Sequence, residues 1–311
     1  MPHSPDVVAP LPVAPAPRIA LMSDGADWHS RSLVRAFATA GARARLVNLS
    51  ACGIDTAAGG LDLPGFAAAR PDAVLVRTVP GGSFEAVTLR LGILHALDAI
   101  GVPVWNNARA IERCVDKSMT SFLLARAGIP TPPTWAVQSM PQAAAIVQRE
   151  GAPLVLKPLF GSQGRGLRLI RNATDLPASA EMAGVYYLQR YVGVERQGFH
   201  DFRVLVVRGR VVATMMRHAS QWITNVKRGG KPVSAVADAT MKDLAIAAAA
   251  AVGADFAGVD IIHDAAGRAL VLEVNSMPAW SGLQRTTSIN VAAVLADELV
   301  ATLPARAQAR A

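Results

Sequence analysis

The sequence predicts an α/β protein in which a parallel sheet with helices on its faces precedes two α+β sections. Short apolar runs alternate with helical patterns from Arg18 to Trp105, an order typical of parallel sheets. Hydrophobic residues make up 51% of the 311 residues but aromatic residues only 5%, which suits an Ala- and Val-rich α/β protein. The chain is long enough for two or three domains with substantial cores.

The predicted N-terminal domain covers residues 18–107. Its two helices are each followed by a glycine, Gly41 and Gly101, suited to the left-handed cap that ends a helix. We expect strands at Ile19–Met22, Ala44–Leu49, Ala73–Val76 and Val102–Trp105, and helices at Ser30–Thr39 and Glu85–Ile100.

A second section, 108–185, contains a proline-rich stretch at 128–134 that cannot be helical and predicts a stiff connector. Helices are expected at Lys117–Ala127 and Met140–Glu150, and strands at Leu154–Pro158 and Leu167–Ile170 with a glycine-rich loop between them.

A third section, 186–304, carries strands, an Ala-rich helix and an acidic hairpin. The elements expected are strands at Tyr187–Tyr191, Phe202–Val207 and Arg210–Arg217, a helix around Leu244–Val252, the hairpin at 258–275 and a last helix at Asn290–Leu303. Residues 1–17, which are rich in Pro and Ala and lack the basic start of a signal peptide, predict a disordered leader, and 305–311 a frayed tail.

Composition limits the compartment and the partners. Cys52 and Cys114 are too few and too isolated for a disulfide framework or a zinc site, so we expect a reducing, cytoplasmic setting. No stretch reaches the ~18 apolar residues that span a membrane. The formal charge of +8 is compatible with nucleic acid, with an acidic small substrate or with an Arg-rich composition alone. No nucleic-acid-binding motif is evident, which favours arginines that meet phosphates and carboxylates.

The hairpin near the C-terminus places acidic residues in two apolar strands. Glu273 and Asn275 point to one face because strand residues alternate. A hairpin centred on 266–267 that pairs 263 with 270 also sets Asp260 opposite Glu273. Carboxylates side by side in an apolar sheet repel unless they are neutralised, and a hard divalent cation does this well. The three residues therefore predict a Mg²⁺ site; a solvent-facing hairpin with ordinary surface acids is the alternative.

The loop between the strands at 154–158 and 167–170 contains three glycines in six residues, Gly161 to Gly166. Such a backbone can approach an anion and cradle phosphate oxygens. No helix follows, so the loop is neither a Walker loop nor a dinucleotide fingerprint. Lys157, in a buried strand, needs an anionic partner and favours phosphate binding over a plain hairpin turn. By residue type alone, Lys117 is a solvated helix start.

A further set of polar residues precedes the hairpin. Asp201 and Arg203 lie two apart, hence on one face, and Arg217 follows in an adjacent strand. Residues 225–230 form a basic glycine loop. Arginines on a sheet face commonly pair with carboxylates, but Asp260 is expected to bind metal. We therefore expect an incoming acid or phosphate as the partner of the arginines.

Taken in order, these motifs resemble the ATP-grasp superfamily, and within it the RimK-like amino-acid ligases, which add glutamate to a carboxylate of a protein or coenzyme. The matching segments are Asp116-Lys117, Leu156-Lys157-Pro158, Gly161-Ser162-Gln163-Gly164, Ala257-Gly258-Val259-Asp260 and Glu273-Val274-Asn275-Ser276-Met277-Pro278. The resemblance covers about residues 18–303. It implies the ATP-grasp fold: an N-terminal α/β domain and two α+β ATP-grasp subdomains that close over the nucleotide.

The resemblance also implies roles for individual residues and the cofactors ATP and Mg²⁺, with Mn²⁺ as a substitute. Those for ATP are Lys117 and Lys157 on the phosphates, Gly161, Ser162, Gln163, Gly164 and Gly166 covering them, Gln189, Arg190, Tyr191 and Val192 at the adenine, and Asp201 at the nucleotide. Arg190 stands where the family usually has Glu, and 222–224 lacks a customary Arg. Arg203 would contact a phosphate or acyl phosphate, Asn225 and Arg228 would line the reaction centre, and Asp260, Glu273 and Asn275 would bind Mg²⁺.

The implied function is ATP-dependent carboxylate–amine ligation through an acyl phosphate. The expected substrates are glutamate and an acidic acceptor, either a pterin-type coenzyme or a protein C-terminus, with His29 and Arg77 as candidate acceptor-site residues. Family likeness implies a homodimer or homotetramer. The alternatives are an ATP-grasp ligase acting on an amino-group carrier protein of lysine or arginine biosynthesis, a dipeptide ligase, and a non-catalytic nucleotide-binding module.

Overall fold

The structure, a computed structural model, describes residues 15–57, 60–67, 69–161, 163–193 and 198–304. Most of the predicted leader and the whole predicted tail, 1–14 and 305–311, lie outside the described residues. No helix in the described part of the chain is long and apolar enough to cross a membrane.

The N-terminal unit is a four-stranded parallel sheet with the strand order β2-β1-β5-β6. The strands are β1 (Arg18–Met22), β2 (Arg43–Val47), β5 (Ala73–Val76) and β6 (Val104–Trp105), the helices are α1 (Trp28–Thr39) and α2 (Phe84–Ala99), and β3 (Gly53–Asp55) and β4 (Gly60–Asp62) pair antiparallel. The side chains of Asp27 and Ser83 cap the two helices. Gly41, with φ +77°, takes the left-handed conformation that lets the chain leave α1.

The second unit is an antiparallel sheet with the order β7-β10-β8-β9. Its elements are β7 (Thr134–Val137), α5 (Met140–Glu150), β8 (Leu154–Lys157), β9 (Arg168–Ile170) and β10 (Tyr186–Arg190). Because β10 lies between β7 and β8, this unit extends to Arg190, and the predicted boundary between 185 and 186 cuts through its sheet. Strand order is a long-range property that the local pattern did not reveal.

The third unit is a five-stranded antiparallel sheet with the order β13-β12-β11-β14-β15. The strands are β11 (Phe199–Val207), β12 (Arg210–Ala219), β13 (Lys231–Ser234), β14 (Phe256–His263) and β15 (Ala269–Asn275). One face packs on three helices, α3 (Ala108–Val115), α4 (Lys117–Arg126) and α6 (Ala239–Val252), through the apolar core around Val206, Val259 and Val274.

The C-terminal helices return to the N-terminal unit. They are α7 (Ser281–Gln284) and α8 (Val291–Ala301), and α8 packs against α1. Phe37 of α1, Trp280 and Leu295 belong to one buried cluster that joins the first and third units. Burial of these large side chains contributes about 2 kcal/mol each, so the units are held in contact by a shared apolar core.

The acidic hairpin β14–β15 has the predicted pairing of Asp260 with Glu273, reached by a different register. His263 pairs with Ala269 instead of residue 270, and the register shifts between Asp260 and Ile261. The extra residue on β15 is Leu272, a bulge that restores the expected alignment further along. The pairing near the turn therefore differs by one residue from the prediction, yet Asp260 still lies opposite Glu273.

Several short elements were missed. Strands β3, β4, β7 and β13 and helix α3 did not stand out because three or four residues carry too little periodicity, and α3 directly precedes the better marked α4. By contrast, β5 and α5 have the bounds that the sequence predicts.

The side chain of Asn106, at the end of β6, fastens the first unit to the third. It is fully buried, and its amide nitrogen donates to the carbonyl oxygens of Phe256 at 2.7 Å and Ser276 at 2.6 Å. Its carbonyl oxygen accepts the backbone amides of Asp255 at 2.6 Å and Phe256 at 3.1 Å. One amide thus ties the start of β14 to the residue that follows β15.

We expect Asn106→Ala to lower the free energy of unfolding by about 3 kcal/mol or more, because four buried backbone groups lose their partner together. Urea titration followed by circular dichroism measures the change. The matched control is Asn107→Ala, since Asn107 only caps α3 through Ala110 N and its loss costs about 1 kcal/mol. Equal losses in the two variants would contradict the fastening role.

Candidate active site

One face of the five-stranded sheet carries a buried row of opposite charges. Arg217 pairs with Asp201 through both carboxylate oxygens, with Nε to Oδ1 at 2.7 Å, and its Nη2 lies 2.9 Å from Oδ2 of Asp260. Arg203 holds Asp260 at 2.6 Å and 2.7 Å. The register explains the row: Asp201 lies opposite Arg217 and Arg203 opposite Asp260. The arginines therefore have protein carboxylates as partners, where the sequence predicted an incoming anion.

These pairs determine the charge states. Burial alone would raise the pKa of Asp260, but the Arg203 and Arg217 guanidiniums outweigh it and hold that pKa below its usual range. Burial would lower the pKa of Arg217, yet Asp260 and Asp201 raise it instead. Asp260 and Arg217 are therefore ionised at neutral pH. The sequence predicted a divalent metal ion as the group that neutralises Asp260, and in the structure Arg203 and Arg217 pair with it.

Lys157 projects from β8 of the second unit into the same cleft. It is 9% exposed, and its Nζ donates to Oε1 of Gln189 at 2.8 Å. Burial lowers the pKa of Lys157, with Glu273 opposing that effect and Lys117 adding to it. A cation held by a neutral amide so far from water is a strong site for an anion.

Lys117, the first residue of α4, is partly buried. Its Nζ donates to the carbonyl oxygens of Leu159 at 3.2 Å and Gly161 at 2.8 Å. Burial lowers the pKa of Lys117, and Glu273 acts against this. Lys117 therefore binds the first residues of the glycine loop and lies near Glu273. Its residue type alone had suggested a solvated side chain at the start of a helix.

The glycine loop reaches across the cleft to the basic loop at 225–230. Nη2 of Arg228 donates to the carbonyl oxygen of Gly164 at 3.3 Å. A Cβ on Gly164 would lie 2.6 Å from Oδ1 of Asn225 and 2.8 Å from Cγ2 of Ile223. Of the predicted loop residues, Gln163, Gly164 and Gly166 have positive φ, while Ser162 lies outside the described residues. Gly164 therefore allows a close approach that any side chain would block.

The segment predicted to hold adenine, 189–192, lines the cleft, and its side chains contact different partners. Gln189 faces Lys157, and Arg190 pairs with Glu150 of α5. Tyr191 packs edge to face against Trp222, with ring centroids 6.2 Å apart. The backbone amides of Arg190 and Tyr191 donate to the carbonyl oxygens of Pro133 and Pro153, so the segment has its other backbone groups and these aromatic rings to contact a flat base.

The cleft between the two antiparallel sheets has a volume of about 290 Å³. One wall carries Lys157 and the hinge, and the other carries Asp201, Arg217, Asp260 and Glu273.

The residues predicted to hold Mg²⁺ lie on one face, since Asn275 pairs with Gly258 and Asp260 with Glu273. Nδ2 of Asn275 donates to the carbonyl oxygen of Gly258 at 3.3 Å. No group of three His, Cys, Asp or Glu side chains able to hold a metal occurs in the described parts of the chain. Glu273 and Asn275 supply oxygens that fit a hard cation, whereas those of Asp260 are shared with two arginines.

The two candidate acceptor residues meet on Trp280. His29 is buried, its Nε2 accepts the backbone amides of Trp280 at 3.2 Å and Ser281 at 3.3 Å, and its Nδ1 lies 3.1 Å from Asp27. Burial lowers the pKa of His29, and Arg77 adds to this. Both ring nitrogens of the neutral imidazole are engaged, so His29 positions Trp280 rather than a substrate. Arg77 donates to the carbonyl oxygen of Met277 at 3.2 Å.

Sequence reasoning did not assign a site role to Trp222 or Asn106, and it predicted an incoming anion as the partner of Arg217 where the structure shows Asp201 and Asp260. For Arg217 a signal of its partner existed, because β11 and β12 are consecutive antiparallel strands and their pairing sets Arg217 opposite Asp201. For Trp222 and Asn106 no local signal exists, since their contacts are made across the fold. The two cysteines are free thiols, and burial raises the pKa of Cys52 to about 11 and that of Cys114 to about 12.

A cleft between two antiparallel sheets, with Lys157 on one wall and Asp201, Asp260 and Glu273 on the other, is the arrangement of an ATP-grasp enzyme. The family profile of the RimK-like ATP-grasp domain matches residues 114–299. The chain is 34% identical over 261 residues to a tetrahydromethanopterin:alpha-L-glutamate ligase of Methanosarcina acetivorans, covering 73% of this chain and 79% of the relative. It is 32% identical over 291 residues to a probable alpha-L-glutamate ligase of Legionella pneumophila, covering 88% and 92%.

The chain therefore belongs to the RimK-like ATP-grasp family and is an ATP-dependent ligase, as the sequence predicted. Solved structures agree on the fold. The ATP-grasp ligase PsnB, complexed with a phosphomimetic variant of a minimal precursor, Mg and ADP, matches with a TM-score of 0.73 at 21% identity, over 93% of this chain and 99% of that one. D-cycloserine synthetase DcsG matches with a TM-score of 0.69 at 22% identity, over 92% and 100%.

Gly164→Ala is expected to lower kcat by about tenfold or more, because the added methyl group pushes the glycine loop away from Asn225 and Ile223. ADP formation under saturating ATP measures this. Gly184→Ala is the control for backbone strain, since Gly184 has φ +78° but nothing within 4 Å of an added Cβ. If both variants lose the same activity, contact across the cleft is not the cause.

Lys157→Met is expected to stabilise the ligand-free protein at pH 7 while abolishing ATP turnover. The pKa of Lys157 is lowered from 10.5 on folding, so the unfolded chain binds the proton more tightly and stability rises with pH up to about 10.5. The variant should gain about 1.4 kcal/mol in free energy of unfolding for each pH unit by which folding lowers the pKa of Lys157. This gain should shrink as the pH rises toward 10.5.

Urea titrations between pH 6 and pH 10 measure this difference. The control is Lys242→Met, on the exposed side of α6, for which stability should change little at any pH. A Lys157→Met variant that is less stable than the wild type at pH 7 would show that the lysine is not an uncompensated buried cation.

Proposed function

We propose that the protein uses ATP and Mg²⁺ to join L-glutamate to the carboxylate of an acidic acceptor, with a pterin-type coenzyme as the first candidate. The observation that carries the proposal is the cleft in which buried Lys157 lies on the wall opposite Glu273, with Asn275 on the same sheet face as Glu273. Cations on one wall suit the phosphates of a nucleotide, and oxygens on the other suit the cation that accompanies them. The similarity to a ligase whose name specifies tetrahydromethanopterin and glutamate supports the choice of substrates.

In this proposal each group of site residues binds a different part of the nucleotide and its metal ion. Lys157 and Lys117 neutralise phosphate oxygens, and the glycine loop excludes water above them. Bound Mg²⁺ would be held by Glu273, Asn275 and a shared oxygen of Asp260, and it supplies the charge that a departing phosphoryl group needs. Mn²⁺, also an oxygen-binding divalent ion, is proposed to replace it. Hinge backbone groups and the Tyr191–Trp222 pair hold the base.

The reaction has two steps. An oxygen of the acceptor carboxylate attacks the γ-phosphorus in line, the bond to the β-phosphate oxygen breaks, and an acyl phosphate and ADP form. The amino group of glutamate then attacks the acyl carbon, and inorganic phosphate and a proton leave as the amide forms. We propose that Arg228 and Asn225, which lie at the contact between the two loops, donate to the developing oxyanion. One such donor contributes about 3 kcal/mol.

The buried row explains why Arg203 and Asp201 enter this scheme indirectly. Both are tied to protein partners, so they fix the orientation of Asp260 and Arg217 instead of meeting the nucleotide directly. Together with Asp201 and Asp260, the two arginines form a row without net charge. We therefore propose that Arg228, rather than this row, opposes charge on the acyl phosphate.

A phosphate-release assay with ATP, Mg²⁺ or Mn²⁺, each amino acid and a panel of acceptor carboxylates tests the function, with mass spectrometry of the product. Glutamate with a pterin-type acceptor is expected to give one amide-linked product. An absence of release with every pair would contradict ligation, and release that requires a small acidic carrier protein would move the protein to the carrier-dependent ligases.

Glu273→Gln is expected to abolish ADP release, a fall of at least about a thousandfold, because the metal loses its unshared carboxylate. The fold should persist by circular dichroism. The control is Glu298→Gln, whose carboxylate pairs with Arg210 at the surface and should leave turnover within twofold. Undiminished turnover in Glu273→Gln would contradict the assignment.

The cytoplasmic location and the homodimer or homotetramer stay predictions. Size-exclusion chromatography with light scattering gives the oligomeric state.

A further inference from the structure

We call the region outside the carboxyl ends of β1 and β5 in the N-terminal sheet the crevice. The chain leaves β1 toward β2 on one side and leaves β5 toward β6 on the other, so the two strands form the point where the topology reverses. In open parallel sheets, ligands bind outside the strand ends at such a point. Ser23 and Asp24 follow β1, and Arg77 and Thr78 follow β5.

Arg77 is the buried cation of this crevice. It is 7% exposed, its Nη1 donates to the carbonyl oxygen of Met277, and its guanidinium carbon lies 5.4 Å from the ring centroid of Trp280. Among the residues that the structure describes, no group pairs with its Nε. An arginine has five donors in a fixed fork, and this one uses few of them.

The acids nearby are engaged elsewhere. Oδ1 of Asp27 accepts Ser30 N at 2.7 Å and Ser30 Oγ at 2.6 Å, and its Oδ2 faces His29. Asp24 accepts the hydroxyl of Thr78 at 2.5 Å. No carboxylate of the described residues lies within ion-pair distance of Arg77. Burial lowers the pKa of Arg77, and Asp27 and Asp24 only oppose this from a distance.

The crevice adjoins the reaction centre. Met277 comes two residues after Asn275, and a Cβ on Gly258 would lie 2.9 Å from Pro278 and 3.3 Å from Cδ of Arg203. The segment 276–281 therefore has Arg203 on one side and Arg77 with His29 on the other. A ligand held by Arg77 is brought next to the atoms that react.

We propose that Arg77 binds a substrate carboxylate that is not the one being activated. This inference rests on the proposed ligase function. The chemistry fits either the α-carboxylate of the incoming amino acid or a second carboxylate of the acceptor. In both cases the planar carboxylate meets the guanidinium fork and supplies the anionic partner that the protein itself does not provide. His29 and Trp280 form the wall behind it.

The test compares each carboxylate with its carboxamide. For the wild type, replacing the recognised carboxylate by a carboxamide should raise KM by about 30-fold, the loss of charged hydrogen bonds. In Arg77→Gln that penalty should fall to about twofold, since the neutral side chain no longer favours the anion. One arm uses the α-carboxamide of glutamate and the other uses an acceptor amidated away from its reactive carboxylate, so the arm that shows the change identifies the substrate.

Arg77→Lys keeps the buried charge and covers the case in which Arg77→Gln does not fold. In Arg77→Lys, the rise in KM caused by the carboxamide should lie between the values for the wild type and Arg77→Gln, because the point charge of an ammonium replaces the planar guanidinium fork. The KM for ATP and the affinity for Mg-ADP should stay unchanged in both variants. Arg35→Gln, the same change at an exposed arginine of α1, is the matched control and should retain the full carboxamide penalty.

An equal carboxamide penalty in wild type and both Arg77 variants would overturn the inference while leaving ligation intact. A wild type that forms no product with any pair would instead contradict the proposed function. A rise in KM for ATP in the Arg77 variants would show that the residue acts through the nucleotide site.

Discussion

The pairing of Asp260 with Arg203 and Arg217 is the interaction on which the rest of the site depends. Asp201, Arg217 and Asp260 are buried and Arg203 is largely buried on one sheet face, and each would cost several kcal/mol if it lost its partner. Because Arg217 bridges Asp201 and Asp260, it joins three strands, β12, β11 and β14. The row therefore fixes the face from which Glu273 and Asn275 project and makes that face rigid before any ligand binds.

The opposite wall is organised on a different principle. Lys157 and Lys117 are held by neutral oxygens, an amide and two backbone carbonyls, so their charge is oriented but not cancelled. One wall of the cleft is neutralised internally and the other is not. An anion that enters gains most from the lysine side, and its counter-cation gains most from Glu273 and Asn275.

The N-terminal unit reaches the same centre through the short segment that follows β15. Asn106 at the end of β6, Arg77 at the end of β5 and His29 in the first turn of α1 all contact residues 276–281. These three come from the carboxyl edge of a parallel sheet, where backbone groups and side chains of several strands converge. A segment attached to β15, the strand that carries Glu273 and Asn275, is thereby held by the unit that we propose to receive the second substrate.

The sequence by itself determined the class of fold, the elements with clear periodicity and the residues of the cleft, because apolar spacing, glycines and the order of motifs are local properties. It also aligned Asp260 with Glu273, although a bulge at Leu272 replaced the register from which that alignment was inferred. Only the tertiary structure decided which charges are partners. It placed β10 within the earlier sheet, paired both arginines with Asp201 and Asp260, and engaged both nitrogens of His29. These outcomes depend on contacts between residues far apart in the chain, and the same side chain carries the same local signal whether its partner is a ligand or another part of the protein.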